Sequence, residues 1–100
     1  MERFEFNYPA AKVLPGRAEA GVVGSGDLEA LYEPKAATEL KIIVTTSVDG
    51  SHSLWQHFFD RLNALRELPA GRLDINDFGA TPGVARLRIE QVFEEAENAN

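Results

Sequence analysis

The sequence predicts an α+β fold: an antiparallel or mixed β-sheet of four to five strands with two helices packed on one face, in the order β-β-β-β-α-β-α. Most of the first half consists of short segments rich in β-branched and aromatic residues, separated by Gly and Pro. The second half has two segments with apolar residues at helical spacing, which flank one alternating segment. One hundred residues with 44% hydrophobic content are enough for a single domain with one core, over residues 1–100.

The first and fourth strands are predicted from different patterns. Over residues 4–8, aromatic side chains alternate with polar ones, which predicts one buried face, and Pro9 ends the strand. A loop follows to about residue 16. Residues 40–48 are rich in β-branched side chains and end at Asp49-Gly50, which predicts a well-buried strand followed by a turn.

Between these strands the sequence predicts a β-hairpin. Its arms cover residues 17–23 and 27–32, with Gly24-Ser25-Gly26 at the tip. The second arm would also serve as the capped first turn of a helix. We favour a strand, because Glu33-Pro34 ends the segment after six residues, too few for a stable helix.

The first helix is predicted over residues 53–68, before Pro69 and Gly71. Ser53 and Gln56 match a capping box. Four apolar residues share one helical face and predict the buried side: Leu54, Phe58, Leu62 and Leu65.

The last strand and the second helix follow. Leu73 and Ile75 alternate with polar residues in a strand predicted over residues 73–78. Thr81 is the predicted N-cap of the second helix, with Pro82 in its first turn. Its apolar stripe consists of Ala85, Ile89, Val92, Phe93 and Ala96.

The composition restricts the partners of the chain. Sixteen acidic and ten basic residues give a formal net charge of -6, which disfavours nucleic-acid binding and favours docking onto a positively charged protein surface. The absence of cysteine excludes disulfides and thiol nucleophiles, so thioester chemistry would need a thiol on a cofactor. No apolar run approaches the roughly 20 residues that span a bilayer, and the N-terminus lacks a signal-peptide pattern. We therefore expect a soluble, cytoplasmic protein with no membrane partner.

Two groups of polar side chains are expected to have no catalytic or metal-binding role. His52 and His57 lie near the start of the first helix, and neither has a convincing partner at metal-ligand spacing, so we expect them to lie on the solvated helix surface and to form no metal site. Asp74, Asn76 and Asp77 lie at the end of a strand, where such residues usually cap turns through their own side chains.

Ser25 is the candidate functional residue. Gly24 and Gly26 permit positive φ angles and carry no side chain, so the active site of another enzyme could approach the hydroxyl closely. No His, Lys or Tyr lies beside Ser25 to activate it, and Gly-Ser-Gly does not match the Gly-x-Ser-x-Gly elbow of esterases. The tripeptide fits either a simple tight turn or a passive acceptor that a separate enzyme modifies. Asp27 would assist the modification or close the turn.

Four segments together resemble the acyl carrier (delta) subunit of malonate decarboxylase. They are residues 22–29 (VVGSGDLE), 46–50 (TSVDG), 55–59 with Arg61-Leu62 (WQHFF and RL) and 77–83 (DFGATPG). The likeness covers almost the whole chain and agrees in length and in the order of the segments. Weaker similarity links the chain to the acyl carrier subunit of citrate lyase.

This resemblance implies a site, a cofactor and partners. Ser25 would carry 2'-(5''-phosphoribosyl)-3'-dephospho-coenzyme A through a phosphodiester bond, with Gly24, Gly26 and Asp27 in the flanking turn. The partners would be the acyl transferase (alpha) subunit and the decarboxylase subunits of malonate decarboxylase, a prosthetic-group transferase and a malonyl-loading transferase. The chain itself would be non-catalytic and would move acetyl and malonyl groups between these enzymes as thioesters.

Two alternatives remain open. A citrate lyase carrier would bear the same cofactor, although residues 78–83 favour malonate. An unmodified interaction module would use an exposed sheet edge or the helix that carries Trp55, a residue type common at interfaces. Trp55, Phe58 and Phe59 are most simply core or core-edge residues.

Overall fold

The computed structural model describes residues 1–99, which contain five β-strands and two α-helices. The strands are β1 (Glu2–Pro9), β2 (Ala18–Gly21), β3 (Leu28–Pro34), β4 (Glu39–Thr46) and β5 (Gly71–Asp77). The helices are α1 (His52–Leu65) and α2 (Pro82–Asn98). The predicted α+β fold and its element order are confirmed, and each predicted strand is present close to its predicted bounds.

Strand β5 lies at the centre of the sheet, whose order is β1-β4-β5-β3-β2. It pairs in parallel with β4, because α1 carries the chain back between the two strands, and antiparallel with β3. The ends of β4 and β5 therefore lie beside the start of β3, where Asp77 is in register with both Thr46 and Leu28. We call this part of the molecule the loop end.

One face of the sheet forms the core. Phe6, Ile42 and Leu73 lie in register on three adjacent strands and are buried, while alternate residues such as Lys41 belong to the opposite face. Both helices contribute apolar side chains to the same buried cluster as the sheet. The predicted stripe of α2 is confirmed, because its members are all buried: Ala85, Ile89, Val92, Phe93 and Ala96.

Helix α1 has different ends from those predicted. Its N-cap is Ser51, not Ser53, so the predicted capping box is wrong. The helix ends at Leu65 rather than at residue 68, because Arg66 adopts an extended conformation. The extended segment that follows contains Leu68, whose side chain is buried in the core.

The buried face of α1 also differs from the predicted stripe. Trp55, Phe59 and Leu62 face the core, whereas Leu54 and Leu65 are exposed. Both sets have helical spacing, so periodicity alone does not distinguish them. The face with the larger aromatic area is the buried one, and the rings of Trp55 and Phe59 stack with their centroids 5.7 Å apart. Trp55 is thus a core residue with 7% of its surface exposed, and its proposed use as a partner contact is wrong.

Candidate functional site

Ser25 lies at the loop end, on the connection between β2 and β3. The predicted hairpin is confirmed, because these two strands pair antiparallel. Its connection is longer than the predicted three-residue tip: Gly21, with φ +87°, is the last paired residue of β2, and residues 22–27 leave the ladder. Ser25 is exposed within this loop.

A tight turn presents Ser25. The Asp27 N–H donates to the Gly24 carbonyl at 3.1 Å and closes the turn around Ser25 and Gly26. Gly26 has φ +78°, the left-handed conformation that the third residue of a type II turn requires and that favours glycine. Gly24 has no positive φ. Both glycines were expected to allow a positive φ angle, and only Gly26 adopts one.

Backbone hydrogen bonds connect the turn to the end of β5. The Gly26 N–H donates to the Phe78 carbonyl at 2.8 Å, and the Phe78 N–H donates to the Asp27 carbonyl at 3.0 Å. On the other side of Ser25, Val22 and Val23 are 60% and 61% exposed. The serine therefore lies between a half of the loop that is bonded to the central strand and a half that projects into solvent.

The Asp27 carboxylate is held through both of its oxygens. Oδ1 accepts from the Leu28 N–H at 2.7 Å and from Arg88 Nε at 3.1 Å, and Oδ2 accepts from Arg88 Nη2 at 2.9 Å. The Arg88 guanidinium, and secondarily the Leu28 amide, lower the pKa of Asp27 below its usual value. Asp27 is therefore a weak base already bonded to other groups, which favours its role in closing the turn over a role in activating Ser25.

The space around the serine is open. A Cβ atom added at Gly26 would meet no atom within 4 Å, and one at Gly24 would meet only Val22 Cγ2, at 3.9 Å. Two surface depressions, of about 1250 Å³ and 230 Å³, are lined by other parts of the chain, including Phe93 and Phe58 respectively. Ser25 thus stands where a second protein can reach it, and it lines neither depression.

Known proteins match this chain over nearly its whole length. The family model of the malonate decarboxylase delta subunit (MdcD) matches residues 16–96. The chain belongs to this family. The malonate decarboxylase acyl carrier protein of Klebsiella pneumoniae is 60% identical over 99 residues, covering 99% of this chain and 100% of the relative. Its counterpart in Azotobacter vinelandii is 54% identical over 98 residues, covering 98% and 99%.

A solved structure agrees with these sequence relatives. The crystal structure of a Pseudomonas malonate decarboxylase hetero-tetramer in complex with malonate contains a chain that is 56% identical, with a TM-score of 0.91 over 96% of this chain and 99% of that one. The predicted resemblance to the malonate decarboxylase acyl carrier is therefore confirmed, and the match favours it over the citrate lyase carrier. The chain is an acyl carrier subunit of the malonate decarboxylase type.

The two acids of β5 in this delta-family chain have structural roles. Asp77 is 3% exposed. Its Oδ2 accepts from Thr46 Oγ1 at 2.8 Å and its Oδ1 accepts from the Ala80 N–H at 2.9 Å, so it caps the turn after β5 as predicted. Asp74 and Asn76 lie within β5 and cap no turn, so that expectation is wrong for them. Asp74 accepts two hydrogen bonds from the Arg72 guanidinium, at 2.8 Å and 3.1 Å, and Asn76 Nδ2 donates to Glu29 Oε1 at 3.2 Å. The carboxylates of both acids are thus bonded within the fold.

The histidines agree with the expectation of helix surface. Both His52 and His57 are exposed, and the His52 ring lies 5.0 Å from that of Phe4 and 5.3 Å from that of Phe6, centroid to centroid. Over residues 1–99, no group of three or more His, Cys, Asp or Glu side chains is arranged to hold a metal ion. Within that same range, no helix has the length and apolar character needed to cross a membrane.

Arg88 binds the Ser25 turn through its side chain, and the sequence did not reveal this contact. It lies 61 positions after Asp27, on a different secondary-structure element, and no short-range spacing rule relates two such residues. The sequence shows only that Arg88 lies outside the apolar stripe of α2. This does not distinguish it from the other polar residues of that helix.

Proposed function

We propose that Ser25 is the attachment site of 2'-(5''-phosphoribosyl)-3'-dephospho-coenzyme A, joined to Oγ through a phosphodiester, and that the chain is a non-catalytic carrier. The observation that supports this most directly is an exposed serine on an anchored turn, in a chain that belongs to a family of acyl carriers. When attached, the group supplies the thiol that a chain without cysteine lacks.

The residues of the loop fit a large covalent group. Gly24 and Gly26 leave open space on both sides of the hydroxyl, and the bonds between Phe78 and the turn fix its base. The chain presents the hydroxyl, keeps neighbouring side chains away from it and holds the root of the tether in place. A covalent tether at Ser25 also makes each encounter with a bound partner intramolecular, at an effective concentration of roughly the millimolar range.

The proposed partners follow from the same role. A prosthetic-group transferase would modify Ser25, a malonyl-loading transferase would charge the carrier, and the acyl transferase (alpha) and decarboxylase subunits of malonate decarboxylase would act on it in turn. The relative of known structure is part of a malonate decarboxylase hetero-tetramer, which supports membership of such an assembly. The open approach to Ser25 fits enzymes that bring their own catalytic groups.

Intact-mass analysis of protein isolated from its native host, grown on malonate, tests the proposal. We expect a single covalent adduct that peptide mapping places on Ser25, because a carrier must be loaded before it can function. Recombinant protein made without the loading enzymes should have the bare mass and serves as the control. Host-derived protein that has the bare mass and still supports malonate turnover would contradict the proposal and favour the unmodified interaction module.

A bulky substitution at Gly24 should slow loading without unfolding the domain. Gly24 has no positive φ and only Val22 near its Cβ direction, so Gly24→Leu should cost less than about 1 kcal/mol of stability. Its side chain would lie next to the hydroxyl, where we expect at least about a tenfold loss of loading rate through obstruction of the approaching enzyme. Thermal unfolding and the rate of adduct formation measure the two effects. Normal loading, or a large loss of stability, would contradict the expectation.

A further inference from the structure

We propose that Arg88 is a positioning residue for the modification of Ser25. From α2 it holds the Ser25 turn in the conformation that the prosthetic-group transferase recognises. This inference rests on the proposed attachment of a prosthetic group at Ser25. It adds that the prosthetic-group transferase recognises the folded loop and not the local sequence alone. The conformation of that loop depends in part on α2, which is distant in the chain.

The contact between Arg88 and the turn is specific. Its guanidinium donates to both oxygens of Asp27, at 3.1 Å from Nε and 2.9 Å from Nη2. Asp27 is the residue whose N–H closes the turn onto the Gly24 carbonyl. The side chains of Arg88 and Asp27 are only 29% and 18% exposed, so the paired charges are less screened by solvent than an ordinary surface ion pair.

Arg88 also lies against the other end of the loop. A Cβ atom added at Gly21 would approach Arg88 Cδ to 3.4 Å, so the aliphatic part of Arg88 passes over the last residue of β2. The same side chain therefore lies beside Gly21, where the chain leaves the sheet, and bonds to Asp27, just before the chain returns in β3. Arg88 bridges the two ends of the loop that carries Ser25.

The loop itself has few side chains that could hold its two ends together. Between Gly21 and Asp27 it contains two glycines, the exposed serine and two exposed valines, and such a segment gains little from burial and has high conformational entropy. The backbone bonds to Phe78 fix Gly26 and Asp27, and Arg88 adds the side-chain contact. Without it, we expect the turn to occupy its observed conformation for a smaller fraction of the time.

Kinetics of loading can separate positioning from simple structural support. With the purified prosthetic-group transferase, Arg88→Gln should raise KM for the carrier by about tenfold and leave kcat within about twofold. KM should rise because only molecules with the ordered turn bind the enzyme, and their fraction falls. kcat should change little because the bound complex contains the same ordered turn. Hydrogen exchange at the Gly26 and Asp27 amides should also accelerate at least severalfold, because these amides exchange only while the turn is open. Arg88→Lys keeps the positive charge but cannot form the bidentate contact with Asp27, so it should give an intermediate KM.

Arg86→Gln is the matched control. Arg86 lies two positions away on α2 and pairs with Glu90 at 3.5 Å on the helix surface, so its substitution should leave KM and exchange at the wild-type values. A wild-type KM for Arg88→Gln would overturn the inference, as would a fall in kcat that only follows a loss of global stability. If the wild-type protein itself accepts no group, the proposed function fails. Normal loading of both wild type and Arg88→Gln overturns only the role of Arg88.

Discussion

Ser25→Ala is expected to abolish covalent modification, and with it malonate turnover by the reconstituted complex, while leaving the fold intact. The side chain is exposed and stands on a turn that backbone bonds hold at Gly26 and Asp27, so removing one oxygen should change the free energy of unfolding by less than about 0.5 kcal/mol. The loss of function should be complete, since a chain without cysteine has no thiol of its own to carry an acyl group once the prosthetic group is missing. Intact mass, thermal unfolding and malonate-dependent release of carbon dioxide measure the three effects.

Ser47→Ala provides a matched control. Ser47 is also exposed at the loop end, where its N–H donates to the Asp77 carbonyl at 3.0 Å through the backbone alone. We expect this variant to be modified and active at wild-type levels. Turnover by a complex containing Ser25→Ala would refute the carrier mechanism outright, whereas loss of activity in both variants would point to disruption of the loop end and not to loss of an acceptor.

Gly21→Ala is expected to destabilise the domain by about 3 kcal/mol. An alanine at φ +87° costs about 1–2 kcal/mol by itself. Its Cβ would also overlap the carbonyl oxygen of Leu28 in the neighbouring strand, a backbone atom that can move only by opening the hairpin. For a domain of this size we expect a fall in melting temperature of roughly 10–20 °C, measured by circular dichroism or calorimetry.

Gly26→Ala separates the two causes of this loss. Gly26 has a similar φ, +78°, but an added Cβ there meets nothing within 4 Å. The conformational cost of about 1–2 kcal/mol should therefore appear without the steric cost. Equal melting temperatures for the two variants would show that overlap with Leu28 is relieved at little cost and that the end of β2 is more pliable than the structure indicates.

The fold could be predicted from the sequence wherever local pattern and burial agree. In β4, β-branched residues and a following Asp-Gly pair specify a buried strand and its turn, and the strand is buried against neighbours on both sides. In α2, Thr81 and Pro82 fix the first turn, and the Thr81 hydroxyl accepts from the Val84 N–H at 3.2 Å as an N-cap should.

The prediction of α1 failed where two local patterns compete. Leu54 and Leu65 belong to one apolar stripe, and Trp55 and Phe59 belong to an adjacent one. Only the position of the sheet determines which stripe is buried, and a single segment contains no information about it. The end of the helix depends on tertiary packing as well, since Leu68 reaches the core only after the chain has become extended.

The candidate site also has a part that local sequence predicts and a part that depends on tertiary packing. Ser25 and its glycines form a local motif, so their place on an exposed turn could be expected from the sequence. The bonds of Gly26 to Phe78 and of Asp27 to Arg88 join segments that are far apart in the chain. They exist only because β3 lies beside β5 and α2 packs across β2 and β3.

The bonding of the turn to β5 constrains the geometry of the whole assembly. Because the residues that follow Ser25 are joined to the central strand, any covalent extension from the serine would start next to a segment that is bonded to the sheet. Enzymes acting successively on the far end of that extension must then have their active centres within one sphere about this origin, or the entire domain must reorient between them. A tether attached there would have a short, bonded base, so the required motion would fall on the domain as a rigid body more than on the loop.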